Sequence, residues 1–227
     1  MIKKGSSKGF NSSTDVRAVF FDLDDTLVAT WNAKCAHNIY VAKTEFGIDL
    51  DEKTVLEHYG KALLEIRRIL FRCNDAMRVT ELARKHEAKF PKQLLEGSAD
   101  VIKTFSDKEY LTGLVTAIDR FQLDDEIESY GLDGLFSYTQ TCDDTDFHKP
   151  DPCVFDPVLE FAKSKKIEPE QILFVGDGLV DALAASGAGL QFVGVATGPK
   201  MTIADFEKEG FAAIDSVVDL PRYLGLE

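Results

Sequence analysis

Five short apolar runs punctuate this chain, and the residues after four of them are the polar ones a bound ligand needs. Val16-Arg17-Ala18-Val19-Phe20-Phe21 is the first run, and aspartates follow it. Tyr110-Leu111-Thr112-Gly113-Leu114-Val115 is the second and ends at Thr116. Leu135-Phe136-Ser137-Tyr138 is a weaker third, Ile172-Leu173-Phe174-Val175 a fourth ending in Gly176-Asp177, and Phe192-Val193-Gly194-Val195 a fifth. Helical patterns lie between them, as over 153–164 and 179–187. Short apolar strands alternating with helices predict a parallel sheet covered on both faces, an α/β/α arrangement of three layers.

One interval breaks the rhythm. About 85 residues separate the first run from the second, too many for one crossover helix. Residues 31–46, 53–72 and 76–90 read as helices. In the middle one Val55, Tyr59, Leu63, Ile66 and Leu70 recur at spacings of three or four. An all-helical cap inserted over 29–96 is expected, with a core of 15–28 and 97–227. Residues 1–14, polar and rich in Lys, Ser and Gly, read as a loose tail.

Charge narrows the partners. The 227 residues carry a net charge of -13, which disfavours nucleic acid and anionic membrane surfaces, since both need a Lys/Arg surplus. Residues 29–96 hold 12 Lys+Arg against 10 Asp+Glu, and the rest 14 against 29. Two readings stay open: the acidic part is simply well solvated, or it binds a cation while the other part meets an anion. The four cysteines are scattered, with no zinc-like or disulfide-framework spacing. No apolar run is long enough to span a membrane, and the start lacks an apolar signal segment. A cytoplasmic protein, monomeric or weakly dimeric, is the expectation.

In open parallel sheets, ligands bind beyond the carboxyl ends of the strands. There stand Asp22-Leu23-Asp24-Asp25-Thr26-Leu27, then Thr116-Ala117, then His148-Lys149-Pro150-Asp151-Pro152 across a loop, then Gly176-Asp177-Gly178-Leu179-Val180-Asp181. Crowded carboxylates repel one another unless a cation sits among them, and hard oxygen ligands suit Mg²⁺. A carboxylate can attack phosphorus to form an acyl phosphate, provided that metal and lysine neutralise the phosphoryl oxygens. A second carboxylate two residues on can protonate the leaving group and then activate water. Each motif alone has a plainer reading. Asp-x-Asp-x-Thr and Gly-Asp-x-x-x-Asp could be strand ends followed by helix caps, and Lys149-Pro150 a turn. Their order, each after a strand, is what argues for chemistry.

Together these segments resemble the haloacid-dehalogenase superfamily: Asp22 to Leu27 its first motif, Thr116 its second, Lys149 its third, Gly176-Asp177 with Asp181 its fourth. The stretches Ala184–Gly189 and Gly194–Gly198 also resemble it. The nearest patterns are the helical-cap members of the phosphoglycolate phosphatase and β-phosphoglucomutase type. The resemblance implies a Rossmann-like core and Mg²⁺ as cofactor. It implies Asp22 as nucleophile and metal ligand, and Asp24 as acid/base whose backbone carbonyl also binds metal. Asp177 becomes the other metal ligand, Asp181 a supporting carboxylate, and Thr116, Ala117 and Lys149 the phosphoryl binders.

The expected activity is hydrolysis of a small phosphorylated metabolite of the sugar phosphate or phosphoglycolate type. Asp24 argues against dehalogenase or phosphonatase chemistry, which needs no proton on a leaving alkoxide. A phosphosugar mutase remains as the alternative. Such mutases often have Val where Thr26 stands, and a cap-linker His where Lys34 stands, with His37 offset by nearly one helical turn. A non-catalytic binding protein on the same fold is the third reading. In the cap, Trp31 could wall the pocket or pack the hinge. Arg68 and Arg72, one turn apart, could bind substrate or form a solvated face, and Lys61 is as ambiguous.

Overall fold

The computed structural model describes residues 15–59 and 63–226. The expected tail over 1–14 and Lys61 lie outside the described residues. In chain order the elements are β1 (Ala18–Phe21), β2 (Val28–Ala29), α1 (Trp31–Phe46), α2 (Glu52–His58), α3 (Leu63–Phe71), α4 (Ala76–Arg84), β3 (Gln93–Leu94) and α5 (Ser98–Asp107). There follow β4 (Leu111–Val115), α6 (Arg120–Tyr130), β5 (Tyr138–Gln140), α7 (Asp156–Ser164), β6 (Ile172–Gly176), α8 (Leu179–Gly187), β7 (Gln191–Val195), α9 (Ile203–Lys208), β8 (Ala212–Ile214) and α10 (Leu220–Tyr223). The described residues form two compact units: one is 15–27 and from Leu94 onward, the other Val28–Gln93.

The larger unit holds a six-stranded sheet in the order β5-β4-β1-β6-β7-β8. Every neighbouring pair is parallel. All four residues of β1 are fully buried, as a strand covered on both faces must be. Phe20, Phe155, Phe174 and Phe206 anchor one core cluster with Val158 and Ile172. Burying a side chain of this size contributes about 1.5–3 kcal/mol.

From β1 the chain builds outward through β4 and β5, then returns to the other flank of β1 as β6. That reversal opens a crevice at the carboxyl ends of β1 and β6, where ligands of open parallel sheets bind. The backbone N–H of Asp22 donates to the Val175 carbonyl at 2.8 Å, which carries the β1–β6 pairing one residue past the strand.

The third apolar run does not form a strand where expected. Leu135 lies in a turn, with Gly134 at φ 72 just before it. The Thr112 hydroxyl donates to the Leu135 carbonyl at 2.7 Å. Pairing with β4 starts only at Tyr138, opposite Gly113. The strand then runs through Thr139 and Gln140, polar residues that weaken its apolar signal.

The smaller unit is mainly helical, with the two-stranded β2–β3 ribbon at its ends. Its core gathers Val41, Val55, Leu70, Phe71 and Val79. The helix expected over 53–72 is two helices instead: Tyr59 turns extended at ψ 138 after α2. Asp51 caps α2 by accepting from the Thr54 N–H at 2.7 Å, and Asp75 caps α4 through the Arg78 N–H at 3.0 Å, as N-cap aspartates do. The third expected helix is also shorter, since α4 stops at Arg84 and only a 3₁₀ turn follows over Glu87–Lys89.

Candidate active site

The first motif lies where β1 ends. Asp22 is buried; the chain then turns tightly, with the Leu27 N–H donating to the Leu23 carbonyl at 2.9 Å. Asp25 makes that turn in the left-handed region, at φ 58, which Asp tolerates better than most residues. Asp24 between them stays partly exposed.

Lys149 reaches this turn from more than a hundred residues away. Its ammonium donates to Asp22 Oδ1 at 2.7 Å and to the Val115 carbonyl at 3.1 Å. It pairs with Asp181 Oδ1, also at 2.7 Å, and sits 4.8 Å above the Phe174 ring, a cation–π arrangement. Burial alone would lower the Lys149 pKa, but Asp181 and Asp22 outweigh it and hold the group above the usual lysine range.

Asp22 behaves differently. Burial raises its carboxyl, Lys149 lowers it, Asp181 and Asp24 raise it again, and the balance stands at about 7. The asymmetry has a simple cause: the ammonium faces two carboxylates, whereas Asp22 shares its one ammonium with Asp181. Asp177, just past β6, is raised well above the usual range by burial, then by Asp181, Asp22 and Asp25.

Asp181 stands in the first turn of α8. The Gly178 N–H donates to its Oδ2 at 3.0 Å, as an acidic residue at this helical position often accepts. Strand β6 must end on glycine for this to work, because a Cβ at Gly176 would lie 2.7 Å from the Asp181 carboxyl carbon.

Thr116 is buried, and its N–H donates to the Gln140 carbonyl at 3.0 Å. Its hydroxyl oxygen accepts from the Ile118 N–H at 3.4 Å, so the hydroxyl hydrogen remains able to donate. Ala117 beside it is exposed. Asp22, Lys149, Asp177 and Asp181 are therefore one interacting cluster, and Asp24, Thr116 and Ala117 also follow strand ends of the sheet.

The residues fit a hard divalent cation. Three acidic side chains share one buried lysine, and burial followed by mutual repulsion lifts Asp22 and Asp177, which is the strain that a cation relieves. Among the described residues no group of three or more His, Cys, Asp or Glu converges as a ligand set. The expected set of two carboxylates and one main-chain carbonyl falls below that number, and a Mg²⁺ site commonly completes its shell with water and substrate phosphate.

Trp31, Arg68 and Arg72 belong to the smaller unit. Trp31 packs edge-on against Tyr59, ring centroids 4.9 Å apart, within the smaller unit. Arg68 donates to Asn74 Oδ1 at 3.2 Å on an exposed surface. Arg72 falls beyond the end of α3 at φ 48, so the expected helical face shared with Arg68 does not form. His148 is exposed.

A cleft of about 480 Å³ lined by Leu95, Gly97, Thr197 and Val217 among others holds none of the expected site residues. The sequence reading singles out the Gly194–Gly198 stretch but gives Thr197 and Gly198 no role at the site. The Thr197 hydroxyl donates to the Asp25 carbonyl, and Gly198 lies against Asp177. Both residues follow β7, at the sheet edge to which the strand-end rule points, though the contacts themselves are not legible from sequence. Gln140 also ties the third motif in place, its amide donating to the Val154 carbonyl at 2.7 Å.

Comparison with known proteins gives the family. Residues 19–195 match the family described as haloacid dehalogenase-like hydrolase. A protein of Clostridium perfringens provisionally named pyrophosphatase PpaX is 30% identical over 212 residues, 91% of this chain and 94% of that one. Glyceraldehyde 3-phosphate phosphatase of Pyrococcus furiosus is 26% identical over 226 residues, 92% of each chain. Among solved structures, a HAD hydrolase of family IA, variant 3, from Entamoeba histolytica superposes with a TM-score of 0.76 at 20% identity, covering 93% of this chain and 98% of that one. No described helix is long and apolar enough to cross a membrane. The chain belongs to the haloacid dehalogenase-like hydrolases, in the subclass that carries a helical cap.

Proposed function

We propose that this enzyme is a Mg²⁺-dependent phosphatase that hydrolyses a small phosphorylated metabolite through a phosphoaspartate on Asp22. The observation that carries the reading is the buried Asp22–Lys149–Asp181 cluster, with 2.7 Å on both sides of the ammonium. It holds a carboxylate at the sheet edge with a cation beside it, as attack on a phosphate dianion requires.

Asp22, Asp177 and the backbone carbonyl of Asp24 would hold the metal. A bound Mg²⁺ would supply charge neutralisation for the phosphoryl oxygens. Lys149, the Thr116 hydroxyl and the backbone at Ala117 bind the same group. Asp22 attacks phosphorus, the bond to the leaving oxygen breaks, and Asp24 gives that oxygen its proton. Asp24 then takes a proton from water, the water oxygen bonds to phosphorus, and the phosphorus–Asp22 bond breaks. Inorganic phosphate leaves, with Asp22 again a carboxylate and Asp24 again protonated. Asp181 positions Lys149 and does not meet substrate.

Sugar phosphates, phosphoglycolate, glyceraldehyde 3-phosphate and pyrophosphate are the substrates to try, the last two because relatives carry those names. The test is phosphate release across that panel with Mg²⁺, with EDTA and with Asp22→Asn. Release from at least one compound that needs Mg²⁺ and is lost in the variant is expected. Interconversion of phosphosugars without phosphate release would instead indicate a mutase, and no turnover of any kind a binding protein.

A further inference from the structure

The turn after β7 touches the candidate site at two points, and neither contact is explained by packing alone. The backbone N–H of Ala196 donates to the Ile214 carbonyl at 3.0 Å, which fixes the turn to β8. The next residue, Thr197, donates its hydroxyl hydrogen to the carbonyl of Asp25. Asp25 is the left-handed residue of the nucleophile turn, directly after Asp24. That hydrogen bond therefore limits rotation of the Asp25–Thr26 peptide, the unit that directly follows the Asp24–Asp25 peptide in the turn.

Gly198 then lies alongside Asp177. A Cβ at this position would fall 1.9 Å from Asp177 Oδ2, 2.8 Å from its carboxyl carbon and 3.1 Å from its Cβ. No real Cβ contact is so short. The obstructed atoms are the tip of one side chain rather than main chain, so an added methyl would turn the carboxylate aside and leave the backbone where it is.

We propose that Thr197 and Gly198 are positioning residues for the metal site: Thr197 sets the nucleophile turn that carries Asp24, and Gly198 leaves the one space in which Asp177 can aim its carboxylate. The proposal rests on the metal-dependent reading given above. It adds that metal affinity is governed by a turn that contributes no ligand. Outer-shell partners of this kind typically change metal affinity by about 10–100-fold.

The test is Mg²⁺ titration calorimetry on the full chain without substrate, with thermal unfolding in EDTA measured beside it. Gly198→Ala is expected to raise the Mg²⁺ dissociation constant about 10-fold or more while its unfolding temperature in EDTA stays near wild type. Thr197→Val, which keeps volume and loses the hydroxyl, is expected to weaken Mg²⁺ binding, and Thr197→Ser to restore it. If Gly198→Ala does not fold, the Thr197 pair decides. Wild-type affinity in Gly198→Ala and Thr197→Val would overturn the proposal and leave the phosphatase reading standing. A wild-type protein that binds no Mg²⁺ would overturn both.

Discussion

Lys149 and Asp22 meet at 2.7 Å although 127 residues separate them in sequence, and the same ammonium lies 2.7 Å from Asp181. The pairing joins the end of β1 to the first turn of α8 through a residue carried by neither. Removing the ammonium leaves two buried carboxylates facing each other. Breaking a buried ion pair from one side costs about 3–5 kcal/mol. Lys149→Met is therefore expected to lower the unfolding free energy in EDTA by about that amount. It should also reduce kcat/KM by at least about 10²-fold, the effect of losing one donor to a developing charge. Denaturant titration and steady-state kinetics measure the two. Wild-type stability would mean that Asp22 and Asp181 do not depend on Lys149.

Thr26 gives a prediction of the opposite kind. It is fully buried, and its hydroxyl has no hydrogen-bond partner. A buried unpaired hydroxyl costs about 1–3 kcal/mol. Thr26→Val keeps the shape and removes the polar atom, so stability equal to or above wild type is expected, with phosphatase activity retained. A loss of more than about 1 kcal/mol in urea unfolding would show that the hydroxyl has a role. The contrast between Thr here and Val in many mutases then carries no hydrogen-bonding chemistry.

The smaller unit contains a histidine that resists protonation. Burial lowers the His37 pKa below 6.5, the Ala83 carbonyl and Glu87 partly oppose this, and His86 and Arg67 add to it. Its Nε2 lies 2.9 Å from the Ala83 carbonyl, which can only accept, so Nε2 carries the hydrogen. The unfolded chain binds a proton at this residue more readily than the folded one. Stability is thus expected to fall as pH drops below 6.5 toward the lower folded value. His37→Gln should lessen that fall. Urea unfolding of both proteins between about pH 7.5 and 5.5 measures the difference, and parallel curves would contradict it.

Much of the larger unit was legible because its central strands are buried on both faces and so read as continuous apolar runs, Ala18–Phe21 and Ile172–Val175 above all. The edge was harder. Strand β5 carries Thr139 and the buried Gln140, whose amide is paid for by the Val154 carbonyl, so its apolar signal fell on the preceding turn. Strand β8, three residues at the far edge, gave no signal above its surroundings. In the smaller unit the periodicity of residues 53–72 reads on across the break at Tyr59, because Val55 on α2 and Leu70 on α3 enter the same core. The spacing that put Arg68 and Arg72 together assumed a helix that ends at Phe71. Within the site, carboxylates after strands are visible as letters. The space that Gly198 leaves for Asp177 is a property of two loops in contact, and no local pattern encodes it.

The central claim is that Asp22 carries the phosphoryl group. Mixing enzyme, Mg²⁺ and a turned-over substrate, quenching in acid within the first turnover and weighing the peptide that contains Asp22 tests it directly. A mass gain of one phosphoryl group on that peptide is expected, absent with EDTA and absent in Asp22→Asn. Phosphate release that persists in Asp22→Asn, with no adduct in the wild type, would contradict it.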